Sequence, residues 1–134
     1  MSAEDTGFDD EMLEAMLPDF LDESEGYLNV LNANLLELDE CVKNADSGEA
    51  NVGADILNDM FRAAHSLKGM SAMLRLDAIN NLTHKMENVF DAARNRQVAV
   101  DSEVVDLVFH AIDCLSALID RLSDPETTEP EYDA

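Results

Sequence analysis

One stretch of the chain groups side chains suited to nucleophilic or proton-transfer chemistry. His65 carries an imidazole, and Lys68 and Gly69 follow it by three and four residues, which on a helix places all three on one face. Ala72 lies nearly in line one turn further along. Because glycine inside a helix costs ~1 kcal/mol relative to alanine, something must need the space at Gly69. Close packing between two helices at Gly69 would explain the glycine, and spacing alone does not exclude that alternative.

Glu87 is the candidate carboxylate partner for His65. It follows Met86, a predicted core residue, so we expect it at the edge of a buried stripe, with Thr83 and Asn80 on the preceding turns. If the two helices pack antiparallel, the carboxylate can accept a hydrogen bond from one ring nitrogen and leave the other a better nucleophile. The alternative for Glu87 is a solvated charge on a helix surface.

Four amphipathic segments must position these residues, since apolar residues recur every three or four positions along each of them. We predict helices over about 10–43, 54–74, 77–95 and 102–122. No strand-like alternation is present, and the connections between the segments are short. This pattern predicts an all-α, antiparallel up-down-up-down four-helix bundle. The predicted inward-facing residues are Leu17, Leu21, Ser24, Leu28, Leu31, Leu35, Leu38, Val42, Leu57, Met60, Ala64, Leu67, Ser71, Leu74, Ile79, Leu82, Met86, Val89, Ala93, Val105, Val108, Ile112, Leu115, Ile119 and Leu122.

Local signals mark the ends of these helices. Asp77, and either Asp101 or Ser102, are candidate N-caps because their side chains can accept hydrogen bonds from the first free backbone N–H groups. Pro18 has no N–H and clashes with the preceding turn. It therefore predicts a kink in the first helix, or a separate short helical segment over 10–17.

The segments outside the helices are polar. We expect residues 1–9 to be a disordered N-terminus, and 44–53, rich in Asn, Asp, Ser and Gly, to be a loop. Residues 123–134 are acidic and contain two prolines, a composition typical of a linker or tail. The predicted folded unit is therefore the bundle at 10–122.

The charge of the chain is strongly negative and unevenly distributed. Its 134 residues include 30 Asp and Glu against 8 Lys and Arg, for a net charge of -22. Six of the eight positive residues lie between 62 and 96, where only three residues are acidic, so this stretch carries +3 and the remainder -25. The overall charge argues against binding to nucleic acid or to an anionic membrane. The locally positive stretch coincides with the helix pair that carries His65 and Glu87.

Several other classes of site lack a signal in the sequence. Cys41 and Cys114 are too few and too far apart for a disulfide framework or a paired-cysteine metal site, so we expect free thiols and no metal. Nucleotide-binding glycine loops and the hydrolase nucleophile elbow are absent. No apolar run reaches the ~18 residues that span a bilayer, and no signal-peptide pattern is visible. The cytoplasm is the expected compartment.

The segment 61–94 contains three motifs: HSLKG at 65–69, LTHKMEN at 82–88 and DAAR at 91–94. With these motifs the segment closely resembles the histidine phosphotransfer (HPt) domain at the N-terminus of CheA-type chemotaxis histidine kinases. The resemblance extends over about 10–122. HSLKG alone is modest evidence, whereas HSLKG with THKMEN at this distance is specific.

The resemblance implies a role for each residue of the candidate site. His65 would be the phosphorylated residue, and Lys68 would neutralise charge on the phosphoryl group. Glu87 would hold the other imidazole nitrogen, with His84 in the same polar network.

The resemblance also implies a docking surface for partner domains. Gly69 and Ala72 would keep the approach to the histidine open, and Arg62 and Arg75 would add positive charge. Family members commonly carry a glycine-containing turn after the second helix, whereas this chain has Arg75 there.

The implied partners are the ATP-binding domain of a histidine kinase and the receiver domains of response regulators. ATP and Mg²⁺ would come with those partner domains, and this domain would bind no cofactor itself. As an isolated domain we expect a monomer. The acidic end suits a linker to further kinase domains, and a free-standing phosphorelay protein outside chemotaxis is the alternative.

Two alternatives come from other classes of protein. A non-catalytic helical adaptor could use its acidic surface to bind a basic partner, with the grouping of His65, Lys68 and Gly69 arising from packing. A carboxylate-bridged di-iron bundle needs two Glu-x-x-His motifs, whereas this chain has a single reversed one, His84-x-x-Glu87.

Overall fold

A computed structural model describes residues 10–44 and 54–123 of the chain. Within them lie four α-helices and no β-strand, which confirms the predicted all-α class. Every boundary lies within one residue of its predicted position. The helices are α1 (Asp10–Lys43), α2 (Ala54–Met73), α3 (Asp77–Arg94) and α4 (Ser102–Leu122). The predictions for 1–9, for 45–53 of the loop and for 124–134 of the tail lie outside the described residues.

The helices form a bundle in which chain neighbours pack together and α4 packs against α1. The α2–α3 pair is antiparallel, because residues late in α2 contact residues early in α3 and the reverse. Three side-chain hydrogen bonds show this order: Lys68 with Asn80, His65 with Glu87, and Asn58 with Arg94.

The core is built largely from the apolar seams that the sequence predicts, although Leu17, Leu21, Leu28 and Leu122 are only partly buried against it. A further correction concerns α3. Leu82 and Val89 are only partly buried, whereas Thr83 and Phe90 are almost fully buried. The α3 helix is thus rotated about its own axis relative to the predicted orientation. This rotation turns Glu87 towards α2. Phe20 on α1 also joins the core. The rotation of α3 determines which polar side chains face the candidate site.

Pro18 lies inside α1 without dividing it, because the helix is continuous from Asp10 to Lys43. A separate segment over 10–17 is therefore not formed. Proline removes the hydrogen bond to the carbonyl four residues earlier, that of Glu14. Glu14 and Pro18 are both exposed, so water can satisfy that carbonyl.

The predicted N-caps have different outcomes. Asp101 caps α4, since its carboxylate accepts a hydrogen bond from the Val104 N–H at 3.1 Å. Asp77 does not cap α3: Leu76 occupies the cap position, and Asp77 is the first residue of the helix. Its carboxylate still lies in the first turn, where negative charge interacts favourably with the helix dipole.

Arg75 ends α2 in the conformation that glycine usually supplies. Its φ of 61° is left-handed, and the Leu76 and Arg75 N–H groups bond the carbonyls of Ser71 and Ala72 at 2.8 and 3.2 Å. These two bonds define a Schellman motif. A residue other than glycine at its left-handed position lowers stability by about 1 kcal/mol. The turn geometry is therefore retained although the family's glycine is replaced.

Candidate functional site

His65 lies on α2 at the rim of the α2–α3 interface. It follows the fully buried Ala64, and one residue turns a helix by about 100°, so the imidazole points along the edge of the core. Its side chain is 63% exposed. The ring Nδ1 contacts Glu87 Oε2, whereas no described residue is hydrogen-bonded to Nε2. One ring nitrogen is thus held by the protein, and the other is open to solvent.

Glu87 projects from α3 into the helix interface and is more deeply placed than the sequence predicts. Its side chain is only 8% exposed, and both carboxylate oxygens have partners. Oε2 meets the His65 imidazole, and Oε1 accepts a hydrogen bond from Lys68 Nζ at 2.6 Å. The arrangement excludes the alternative of a solvated surface charge. Glu87 is a buried carboxylate that joins two residues of α2.

The charge state of Glu87 determines the tautomer of His65. Burial favours the neutral acid, but the hydrogen bonds and charges of Lys68 and His65 outweigh burial and lower the pKa of Glu87 below its usual value of 4.5. The group is therefore an ionised carboxylate at neutral pH. Because a carboxylate can only accept hydrogen bonds, the neutral imidazole carries its proton on Nδ1. Nε2 then has a free lone pair.

Lys68 is held through its backbone as well as its side chain. Its carbonyl accepts hydrogen bonds from Ser71 Oγ at 3.0 Å and from Asn80 Nδ2 at 2.9 Å. The Asn80 bond links α2 directly to α3, and Thr83 instead bonds the carbonyls of Ile79 and Asn80 within α3. These contacts fix the register of the two helices where His65 and Glu87 meet.

Gly69 faces open space. A Cβ built at this position would meet no atom within 4 Å, so packing within the described chain does not require glycine there, and the close-packing alternative is wrong. Ala72, one turn later, is also exposed. Beside the imidazole, α2 thus presents a low surface on which another molecule could approach the ring closely.

The remaining predicted residues lie further from the cluster. His84 is exposed, and among the described hydrogen bonds none joins it to Glu87; the predicted network does not include it in this structure. The reason is the rotation of α3, which places His84 about 60° further outward than Glu87. Arg62 is exposed and lies 3.9 Å from Asp59 on the same helix. Arg75 lies in the turn that follows α2.

Sequence reasoning missed two residues beside the imidazole. The Phe61 ring is parallel to the His65 ring, with 5.9 Å between centroids and 8° between planes. The Arg94 guanidinium lies over the same Phe61 ring, 3.9 Å from its centroid. The i, i+4 spacing of Phe61 and His65 was a signal for the first contact. The contact with Arg94 depends on how α2 and α3 are paired.

In the part of the chain that the structure describes, no group of three or more His, Cys, Asp or Glu side chains is arranged to hold a metal ion. Both cysteines, Cys41 and Cys114, are free thiols. None of the described helices is long and apolar enough to cross a membrane.

Comparison with known proteins gives a consistent family. The Hpt domain family matches residues 15–124. The Listeria monocytogenes protein named chemotaxis protein CheA is 38% identical over 81% of this chain and 16% of its own length. The CheA of Bacillus subtilis is 37% identical over 78% of this chain and 14% of its own. The chain thus spans about one-sixth of the length of these relatives.

A solved structure agrees with the sequence matches. The CheA phosphotransferase domain from Thermotoga maritima superposes with a TM-score of 0.70 and 31% sequence identity, covering 84% of this chain and 97% of that domain. Sequence and architecture therefore lead to one assignment. The chain belongs to the Hpt domain family, and its relatives there are phosphotransfer domains of chemotaxis CheA proteins.

Proposed function

We propose that this domain carries phosphoryl groups in chemotaxis-type two-component signalling, with His65 Nε2 as the phosphorylated atom. The observation that carries the proposal is an exposed imidazole whose Nδ1 is held by a buried, ionised carboxylate. The phosphoryl group comes from ATP bound to a histidine kinase catalytic domain. It then passes to an aspartate of a response regulator. Because the first transfer uses ATP, we propose a cytoplasmic location for this domain.

The chemistry consists of two transfers at phosphorus. In the first, the Nε2 lone pair forms an N–P bond while the bond from the γ-phosphorus to the bridging oxygen of ATP breaks and ADP leaves. The proton stays on Nδ1, so the ring acquires positive charge, which the ionised Glu87 stabilises. In the second, an aspartate oxygen attacks the same phosphorus and the electron pair returns to Nε2.

Lys68 supports these steps through charge. Its ammonium has three N–H donors, and one of them is directed at Glu87 Oε1. We propose that another reaches an oxygen of the phosphoryl group, since the side chain is partly exposed beside the imidazole. The positive charge of Lys68 thereby offsets the charge of Glu87 before the transfer. After the transfer it offsets the charges of both Glu87 and the phosphoryl group.

The surface beside His65 suits close approach by a partner domain. Gly69 and Ala72 leave the surface low on the side of α2 that carries the imidazole. Arg62 and Arg75 flank this surface and would attract acidic groups of a receiver or kinase domain. We propose that ATP and Mg²⁺ reach the site with those partner domains, because phosphoryl transfer depends mainly on positioning and charge stabilisation.

A labelling experiment tests this function. The full chain is incubated with the catalytic region of a CheA-type kinase and radiolabelled ATP. We expect an acid-labile, base-stable label that is absent from His65→Gln and retained in His84→Gln and His110→Gln, which replace exposed histidines elsewhere. An unlabelled wild-type protein, or a labelled His65→Gln variant, would favour the adaptor alternative.

The choice of kinase distinguishes a chemotaxis role from a role in another phosphorelay. A chemotaxis kinase core and an unrelated phosphorelay kinase are compared at equal concentration. Faster labelling by the chemotaxis core supports the proposed pathway. Faster labelling by the other kinase supports the alternative of a free-standing phosphorelay protein.

A further inference from the structure

The imidazole of His65 has two kinds of neighbour, and each restrains a different motion. The contact of Nδ1 with Glu87 fixes where one corner of the ring lies. Two torsions, χ1 and χ2, orient the ring, and a single hydrogen bond leaves one combined motion of the two unrestrained. Because 63% of the side chain is exposed, the bundle core supplies little additional restraint.

Phe61 supplies a restraint on the ring plane. It lies one turn before His65 on α2, and its ring is nearly parallel to the imidazole, with 8° between planes and 5.9 Å between centroids. Offset parallel stacking is a favoured geometry for aromatic pairs. Tilting the imidazole would break this contact, so Phe61 limits the one motion that the Glu87 contact permits.

Phe61 is in turn held from α3 by Arg94. The guanidinium lies 3.9 Å from the centroid of the Phe61 ring, well within the range of cation–π attraction. Its own position is fixed by Asp91 Oδ1, which accepts hydrogen bonds from Nε at 2.9 Å and pairs with Nη2 at 2.9 Å. Asn58 Oδ1 accepts a further hydrogen bond from Nη1 at 3.0 Å. Contacts from both helices thus lock the guanidinium over the aromatic ring.

We propose that Phe61 and Arg94 are positioning residues that fix the plane of the His65 imidazole, so that the Nε2 lone pair points in one direction. The inference rests on the proposed phosphoryl-carrier function. An in-line attack at phosphorus requires this direction to be held within ~10–20°. The pair thus organises the nucleophile before any partner docks, and neither residue needs to touch the phosphoryl group.

The test uses phosphoramidate, a small phosphodonor with no protein surface, so that docking does not contribute to the rate. Phe61→Leu removes the ring but keeps apolar volume, and we expect it to slow phosphorylation of His65 about tenfold. Phe61→Tyr keeps the ring and should restore a rate within about twofold of wild type. Arg94→Met should slow the reaction by a smaller factor than Phe61→Leu. Phe109→Leu, which alters a partly exposed ring on α4, is the matched control and should react normally.

A second measurement is independent of phosphorylation. Carbon-13 relaxation of the His65 ring, assigned by its loss in His65→Gln, reports how rigidly the imidazole is held. We expect greater ring motion in Phe61→Leu and Arg94→Met, and wild-type rigidity in Phe61→Tyr. Unchanged ring motion in Phe61→Leu overturns the positioning role, whether or not His65 accepts phosphate. Increased motion with a wild-type phosphorylation rate overturns it as well. An unphosphorylated wild-type protein whose ring responds as expected counts against the phosphoryl-carrier function instead.

Discussion

The two sides of this bundle are stabilised by different kinds of contact. Where α2 meets α3, polar side chains reach from one helix to the other and hold Glu87, Lys68 and Arg94 in place. On α1, by contrast, Ser24 and Asn34 bond carbonyls of their own helix, and on α4 a stripe from Val105 to Ile119 is buried. Apolar packing on the side of α1 and α4 thus provides a scaffold, while polar contacts between α2 and α3 set the geometry of a reactive histidine.

The largest expected effect on stability comes from the apolar side. Leu115 on α4 is fully buried, so Leu115→Ala should lower the free energy of unfolding by about 2–5 kcal/mol. The rate at which the folded protein reacts with phosphoramidate should change less than about twofold. Urea denaturation and labelling measure the two quantities. Leu107→Ala, at an exposed position of the same helix, should leave both nearly unchanged; a large loss of reactivity in folded Leu115→Ala would mean that the two sides are not separable.

Removing the cation from the polar side should have an intermediate effect. Lys68→Met keeps the aliphatic stem but leaves Glu87 Oε1 buried without its donor, at a cost of about 1–3 kcal/mol in unfolding free energy. Phosphorylation of the folded protein should also slow.

The control for that variant is Lys85→Met, at an exposed lysine on α3, which should be close to neutral for stability and rate. Adding Glu87→Gln to Lys68→Met should recover part of the lost stability, because a neutral amide is less costly to bury than a carboxylate. If Lys68→Met unfolds at the same urea concentration as wild type, the ion pair contributes nothing to the fold.

Alanine substitutions at two glycines distinguish an effect on stability from an effect on access to His65. Gly69 on α2 and Gly26 on α1 are both helical, and a Cβ at either would meet no atom within 4 Å. Alanine at each should therefore raise the unfolding free energy by a similar amount, roughly 0.5–1 kcal/mol. Only Gly69→Ala should slow transfer from a kinase or to a receiver domain, while both variants react normally with phosphoramidate. Equal transfer rates for the two variants would remove Gly69 from the docking surface.

The smallest expected effect is the pH dependence that Glu87 contributes to stability. Its pKa is lowered in the folded protein from 4.5, so the unfolded chain binds more protons at this group just below pH 4.5. The stabilisation is therefore complete above about pH 5 and is lost as the pH falls through the folded-state pKa. Unfolding of dilute wild-type protein and Glu87→Gln is followed at steps from pH 6 downwards. The difference in unfolding free energy between the two proteins should narrow below pH 4.5. A difference that stays constant or widens would mean that the pKa of Glu87 is not lowered.

The helices were predictable because their seams repeat at helical spacing, and four such seams leave few ways to bury them. The edge positions of His65 and Glu87 follow from the same spacing, and the short connection between α2 and α3 predicts the antiparallel packing that their contact requires. Two alternative buried stripes on α3 are compatible with helical spacing: one that contains Leu82 and Val89, and one that contains Thr83 and Phe90. Only packing against α2 decides between them, which is why the depth of Glu87 and the exposure of His84 were not foreseen.

The contact between Phe61 and Arg94 was beyond prediction for a related reason. It joins residues far apart in the sequence, and a small change in helix register would separate them. The open space beside Gly69 could not be predicted either, since it depends on what the other helices leave uncovered. Arg75 shows that a residue other than the family's glycine can occupy a left-handed turn position at modest cost.

Identifying the phosphorylated atom tests the phosphoryl-carrier function at its chemical step. Protein labelled with nitrogen-15 in histidine is phosphorylated, and the phosphorus–nitrogen coupling is measured by NMR. Because Glu87 holds the proton on Nδ1, we expect phosphorus on Nε2 of His65. Phosphorus on Nδ1 of His65, or on another histidine, would show that Glu87 does not select the reactive nitrogen.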